Sequence, residues 1–296
     1  MIDQSKGQLL AGSRLTLPGG RGDWYAFWAM VKKELIVITR YPVSFVTSFA
    51  QVFLIILVLS LSAMMFSSPD ISTEYTDAAG NYDSGVATYG FVIFMFFSDT
   101  LWTIGGNLRQ EQVQGTLEQL YLSPASKFAN LVSRVANLLI WTGSLSIVGA
   151  LVFSLILGKL PFENPGLSLF LLLFSLSGTF GVGFAFAALT LRLKGTAETL
   201  ASLGQFAFMI LCANFFPFFV LPKPVLFISK LIPLSYSVDA FRSSLMGFPD
   251  GFPELASIEI EIAIVTIFGI LMPLIGYAMY RSAENDARRK GSLAEF

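Results

Sequence analysis

The chain has 296 residues, of which 54% are hydrophobic and only 13% charged, against about 25% charged in an ordinary soluble domain. Its apolar residues come in blocks of a length that a soluble core does not need, so we read an all-α, polytopic membrane protein. The net charge of −1 argues against nucleic acid as a partner. Histidine is absent and Cys212 is the one cysteine, which removes the commonest general base, any intrachain disulfide and any cysteine metal cluster.

Residues 1–22 are polar, rich in Gly and Ser, and have no apolar run of the kind a signal peptide needs; they read as an uncleaved cytoplasmic tail. Residues 23–281 form a six-helix membrane domain, and 282–296 a second cytoplasmic tail. The domain opens with an amphipathic helix over 23–40. Trp24, Phe27, Trp28, Val31, Leu35 and Ile38 share one face, while Lys32 and Lys33 lie off it. Indoles opposite lysines suit a helix lying in the membrane interface. Pro42 ends it and turns the chain into the bilayer.

The predicted spans are 45–66, 87–106, 137–157, 167–191, 200–221 and 258–280, each near the ~20 residues that a crossing needs. An acidic loop, 67–86, joins the first two. Glu259 and Glu261 open the sixth span and are expected to anchor it at the outer surface.

Between the second and third spans lies a polar island, 109–124. Read as a helix, Val113, Leu117, Leu120 and Tyr121 fall on one face, with Glu111, Gln114 and Glu118 on the other. Gly115 interrupts the turn. Thr116 and Gln119 have capping-box spacing, so a short helix starts at Thr116, and Ser123-Pro124 stops it. A stubby amphipathic helix between two spans is the shape of a plug for a soluble partner.

Residues 222–254 are too long for a turn and too broken by Pro222, Pro224, Pro233 and Pro253 for one spanning helix, yet they are apolar. Broken helices at membrane depth need protein around them or a cavity beside them. We therefore expect two short re-entrant helices dipping in from the outer surface, with Asp239 and Arg242 paired three residues apart. With six spans both termini share a side. Placing that side in the cytoplasm puts 15 of the 19 Lys and Arg there, as the positive-inside rule asks. The island and the Arg192–Lys194 turn then face the cytoplasm.

Three further features stand out. Asp99 sits mid-span and Gln51 lies in the first span. Intramembrane polar groups of this kind either line a pathway or bond to a neighbouring helix. Ser177, Gly181 and Ala185, with Gly183 and Ala187, are small residues at helical spacing and predict close helix packing within the subunit. Phenylalanines crowd the second and fifth spans, among them Phe215 and Phe216, either as lipid-facing bulk or as an aromatic wall for an apolar cargo.

Glu111-x-x-x-Gly115-Thr116-Leu117-Glu118-x-Leu120, followed by Ser123-Pro124, resembles the coupling-helix signature of ABC transporter permeases of the type-2 exporter family. The run from Pro233 to Arg242, PLSYSVDAFR, resembles the stretch near that family's outer re-entrant hairpin, and Asn214-Phe215-Phe216-Pro217 with Leu221-Pro222 is similar to the end of its fifth span. Arg40-Tyr41-Pro42 resembles its step into the first span, though Tyr41 stands where Asp or Asn is usual. The resemblance covers nearly the whole chain after Asp23. It implies the membrane half of an ATP-driven exporter of drugs, lipids or glycans in the plasma membrane, working as a homodimer or with a paralogue. Each half would receive a separate nucleotide-binding subunit that holds ATP and Mg. It further implies an ATPase contact through Glu111, Gly115, Thr116, Leu117, Glu118, Leu120 and Tyr121; the candidate path residues, Asp99, Gln51, Phe215 and Phe216, rest on their own chemistry and position. Consistent with that division of labour, the sequence contains no G-x-x-x-x-G-K-[ST] loop, so this chain is not itself expected to be an enzyme or to bind a cofactor or metal. The competing reading is a secondary transporter driven by an ion gradient, a class that usually shows internal repeats and several interior ionisable groups.

Overall fold

The computed structural model describes residues 69–106, 127–156, 160–192 and 197–290, with scattered residues between 28 and 54. Among the described residues there are seven α-helices and no strand: α1 (Pro69–Thr100), α2 (Lys127–Ile156), α3 (Pro165–Arg192), α4 (Ala197–Leu211), α5 (Lys223–Leu231), α6 (Pro233–Leu245) and α7 (Ile258–Lys290). A π-helical turn, Leu101–Gly106, continues α1. The described residues between Trp28 and Leu54 are helical as well, Arg40, Pro42 and Val43 among them, so the helix end expected at Pro42 is not seen there. The polar island 109–124 lies outside the described residues, as do Trp24, Phe27, Lys33, Gln51 and both tail ends, 1–22 and 291–296.

Three of these helices are long and apolar enough to cross a membrane: Gly85–Ile104, Pro165–Leu191 and Ile258–Asp286. They coincide with the predicted second, fourth and sixth spans. Shorter apolar helices, Leu138–Val152 and Thr199–Leu211, fall within the predicted third and fifth. The chain is therefore a multi-pass helical membrane protein, with three spans of full length among the described residues, or four if the bent pair α5–α6 is counted as one.

Two expectations change. The acidic stretch 67–86 is not a loop, because α1 already begins at Pro69. Proline suits a first helical position, where its fixed φ is preset and its missing N–H is no loss. The fifth span does not run to Leu221 as one helix. It stops at Leu211, and a single turn of 3-10 helix, Phe218–Val220, follows an elbow.

The central packing is α3 against α7. Its closeness follows from glycine. A Cβ at Gly276 would stand 2.0 Å from the Gly181 carbonyl oxygen, and one at Gly181 would stand 2.3 Å from the Met272 carbonyl carbon. The two backbones touch, as the small residues in the sequence predict. On the other side of α3, Gly183 brings it against Thr100 and Ile104 at the end of α1. The outward faces of α3 and α7 carry exposed Leu169, Leu173, Ile267, Ile270, Leu271 and Leu274, which suits lipid contact.

Pro273 lies inside α7. It has no N–H for the carbonyl four residues earlier, which is that of Gly269. The Ser177 hydroxyl of α3 donates to that carbonyl at 2.7 Å. A proline kink in one helix is thus satisfied by a hydroxyl from its neighbour, as an apolar surrounding demands. Replacing Ser177 by Ala should lower thermal stability in detergent by about 1 kcal/mol. In a Pro273→Ala background, where a backbone N–H returns, the same substitution should cost close to nothing. A double-mutant cycle of melting temperatures measures the difference.

Candidate functional site

The contacts collect the loops at two ends, with α3 and α7 running in the same direction. At one end α1 leaves and α2 begins. There Ile104, Leu138, Ala187, Ala188, Tyr280 and Ala283 share one core cluster, with Val135 and Leu191 against it. At the other end lie the turn before α3, the elbow after α4, the α5–α6 pair and the start of α7.

The elbow is built from a break in the helix. After Leu211 the backbone turns through Ala213 at φ 44°. The Asn214 side-chain amide donates to the Phe208 carbonyl at 3.0 Å, closing the end of α4. Helix α1 lies flush on this turn, because a Cβ at Gly90 would come within 1.9 Å of the Asn214 carbonyl oxygen. Pro222 and Ile232 precede α5 and α6, each of which has a proline in its first turn, and the two helices meet at 95°. This is the pair of short helices that the prolines of 222–254 predict.

A break of this kind leaves carbonyls without helical partners. Arg242 of α6 supplies donors to them. Its Nη1 donates to the carbonyls of Ala213 and Phe216, each at 3.2 Å. Its Nε and Nη2 donate to Asp239 Oδ1 at 3.3 and 3.2 Å, and Nη2 also donates to Glu254 Oε1 at 2.7 Å. Asp239 Oδ2 accepts the backbone N–H groups of Glu254 and Leu255 at 2.7 and 2.8 Å. Glu254 Oε2 accepts the Phe219 N–H at 2.9 Å. The guanidinium lies 4.9 Å from the Phe218 ring and 5.4 Å from that of Phe252, in cation–π range. Arg242 and Asp239 are 0% exposed. The expected pairing of Asp239 with Arg242 is present, and it is the centre of a network that ties residues 213–219, α6 and the loop before α7 into one body. Burial raises the Glu254 carboxyl above its usual range, against the pull of Arg242 in the other direction.

Glu261 departs from expectation. It is 0% exposed, whereas Glu259 faces out. Two residues along a helix turn the side chain to nearly the opposite face, and Glu261 falls on the same stripe as buried Val265 and Phe268. That spacing is readable in the sequence and was the available signal. Thr142 has the same kind of signal, between buried Leu138 and Leu145 at helical spacing, whereas Glu254 and Asn214 carry none.

Of the predicted pathway residues, Asp99 is half-buried between α1 and α2, where its Oδ2 accepts the Thr142 hydroxyl. Phe215 lies against Phe91 and Phe94 of α1, with ring centroids 5.9 and 5.5 Å apart. Phe208 of α4 extends this wall, stacked on Phe94 at 6.3 Å and close to Phe97 at 4.0 Å. Phe49, from the predicted first span, packs against the same group. Phe216 is not part of that wall; it packs beside Ala213, Phe218 and Leu221. Trp28 and Lys32 are helical and exposed.

A family model described as ABC-2 family transporter protein matches residues 66–278. No curated protein matches the chain. The matched range includes every described helix of the bundle at least in part, the polar island and the bent pair.

Loss of the guanidinium leaves two buried carboxylates and two carbonyls without their donor. Arg242→Leu should therefore destabilise the chain by about 3–5 kcal/mol, measured by denaturant or thermal unfolding in micelles. Arg242→Lys should recover only part, because one ammonium cannot span the fork of acceptors that a guanidinium reaches.

Proposed function

The chain belongs to the ABC-2 transporter family, and we propose that it is the transmembrane subunit of an ATP-driven exporter for an amphipathic or hydrophobic cargo. The observation that carries this is the family match, which runs unbroken across the helical bundle and the island between α1 and α2. In this reading a separate nucleotide-binding subunit holds ATP and Mg, a second permease copy or a paralogue completes the assembly, and both termini face the cytoplasm of the plasma membrane.

The geometry supports a division between a stiff end and a driven end. The island 109–124 leaves from the end of α1 and returns at α2, on the end where the turn after α3 and the lower part of α7 also lie. A short amphipathic helix there is a lever: Leu117, Leu120 and Tyr121 bury, and Glu111 and Glu118 make charged contacts with the motor. Nucleotide-dependent motion biases the bundle only through differential contacts of this kind. At the opposite end, the re-entrant pair α5–α6 and its Arg242 network hold the outer mouth as a rigid body. The cargo route runs between, along the half-buried Asp99, Gln51 and the aromatic wall with Phe215.

The test is reconstitution in vesicles with the partner ATPase. Glu118→Arg should leave the permease folded and inserted while ATP turnover loses its dependence on transport. Transport-linked turnover equal to wild type in that variant removes the lever. Cargo movement that proceeds without ATP and follows an imposed ion gradient replaces the exporter by a secondary carrier.

A further inference from the structure

The network at the elbow does not balance in charge. Three carboxylates, Asp239, Glu254 and Glu261, surround one guanidinium, and the side chains of Asp239, Arg242 and Glu261 are all 0% exposed. With every group ionised, two negative charges stand uncompensated in the interior, a costly state. The hydrogen bonds show where a proton can sit. Asp239 has both oxygens facing donors, Arg242 at Oδ1 and two backbone N–H groups at Oδ2. Glu254 has both oxygens taken by Arg242 and the Phe219 N–H. Glu261 differs: Oε1 accepts the Ala256 N–H at 3.2 Å, and Oε2 is buried without any donor.

Glu261 also lies within side-chain hydrogen-bond reach of Asp239. Two carboxylates that close repel unless one of them carries a hydrogen to share. We propose that the elbow is a proton-binding site, in which Glu261 carries the proton on Oε2 and donates it to Asp239. The proton converts an orphan oxygen into a donor, removes one of the two surplus charges, and ties the first turn of α7 to α6.

The groups that face this proton are few. Helix α6 contributes Tyr236, Asp239 and Arg242, and the loop contributes Glu254. Helix α3, packed against both α6 and α7, has no titratable residue between Pro165 and Leu191. Loss of the proton therefore meets no new cation, and the elbow loosens where α7 begins. A proton held on Glu261 is given up as pH rises. Stability is then highest at acidic pH and falls as pH rises through the folded-state titration.

Two measurements on the full-length chain in lipid nanodiscs test this. Glu261→Gln keeps a donor at the same place without a titratable proton. The wild-type melting temperature should fall from acidic to alkaline pH, while that of Glu261→Gln falls less and lies above wild type at the alkaline end. Independently, the wild type at neutral pH should show the infrared carbonyl band of a protonated carboxyl. That band should shift when isotope-labelled glutamate is incorporated, which separates it from Asp99. The infrared result stands even if the variant does not fold. Parallel pH profiles for the two proteins, or absence of a glutamate carboxyl band at neutral pH, overturns the proposal.

Discussion

The constraint behind this structure is that a backbone interrupted in apolar surroundings must find partners for the groups it frees. Where water cannot reach, side chains have to supply them. Arg242 does so at the elbow, where it donates to the carbonyls of Ala213 and Phe216. Ser177 does so on a smaller scale at Pro273. In each case the partner comes from a different helix, so the local defect becomes a tertiary bond. Breaks that weaken an isolated helix thereby hold the bundle together.

The two solutions differ in kind. A hydroxyl is neutral and costs little to bury, and it satisfies one carbonyl. A guanidinium reaches several acceptors at once but brings a charge, and that charge needs carboxylates. Asp239 and Glu254 answer it, and they in turn bind the N–H groups of Phe219, Glu254 and Leu255. Charge complementarity and backbone satisfaction are one network here. Its rigidity suits the part of a transporter against which other parts move.

The bundle's other end has a different chemistry. It is packed with apolar and small residues, Ile104, Ala187, Ala188 and Ala283, and the carboxylate of Glu284 is buried nearby on α7. Between the two ends, Asp99 and Thr142 join α1 to α2, and aromatic rings fill the gap between α1 and α4. A motor acting at the apolar end, as proposed, would tilt helices about the stiff elbow.

Much of this was legible from residue order alone. Hydropathy located the helices now seen as Gly85–Ile104, Pro165–Leu191 and Ile258–Asp286, because a crossing segment must be apolar along its length. Prolines marked the bent pair, small residues marked the close contact of α3 and α7, and spacing of three paired Asp239 with Arg242. The family motifs after residue 66 lie within the match over 66–278, and Arg40-Tyr41-Pro42 lies outside it. What residue order did not reveal was which long-range partners the freed polar groups would choose. The Glu254 carboxylate and the Ala213 and Phe216 carbonyls lie 12 or more residues from Arg242 and follow no helical period. Glu261 could be assigned to a buried face by its spacing to Val265, but not to Asp239. Periodicity reports which side of a helix is buried; only the packed fold decides what waits on the other side.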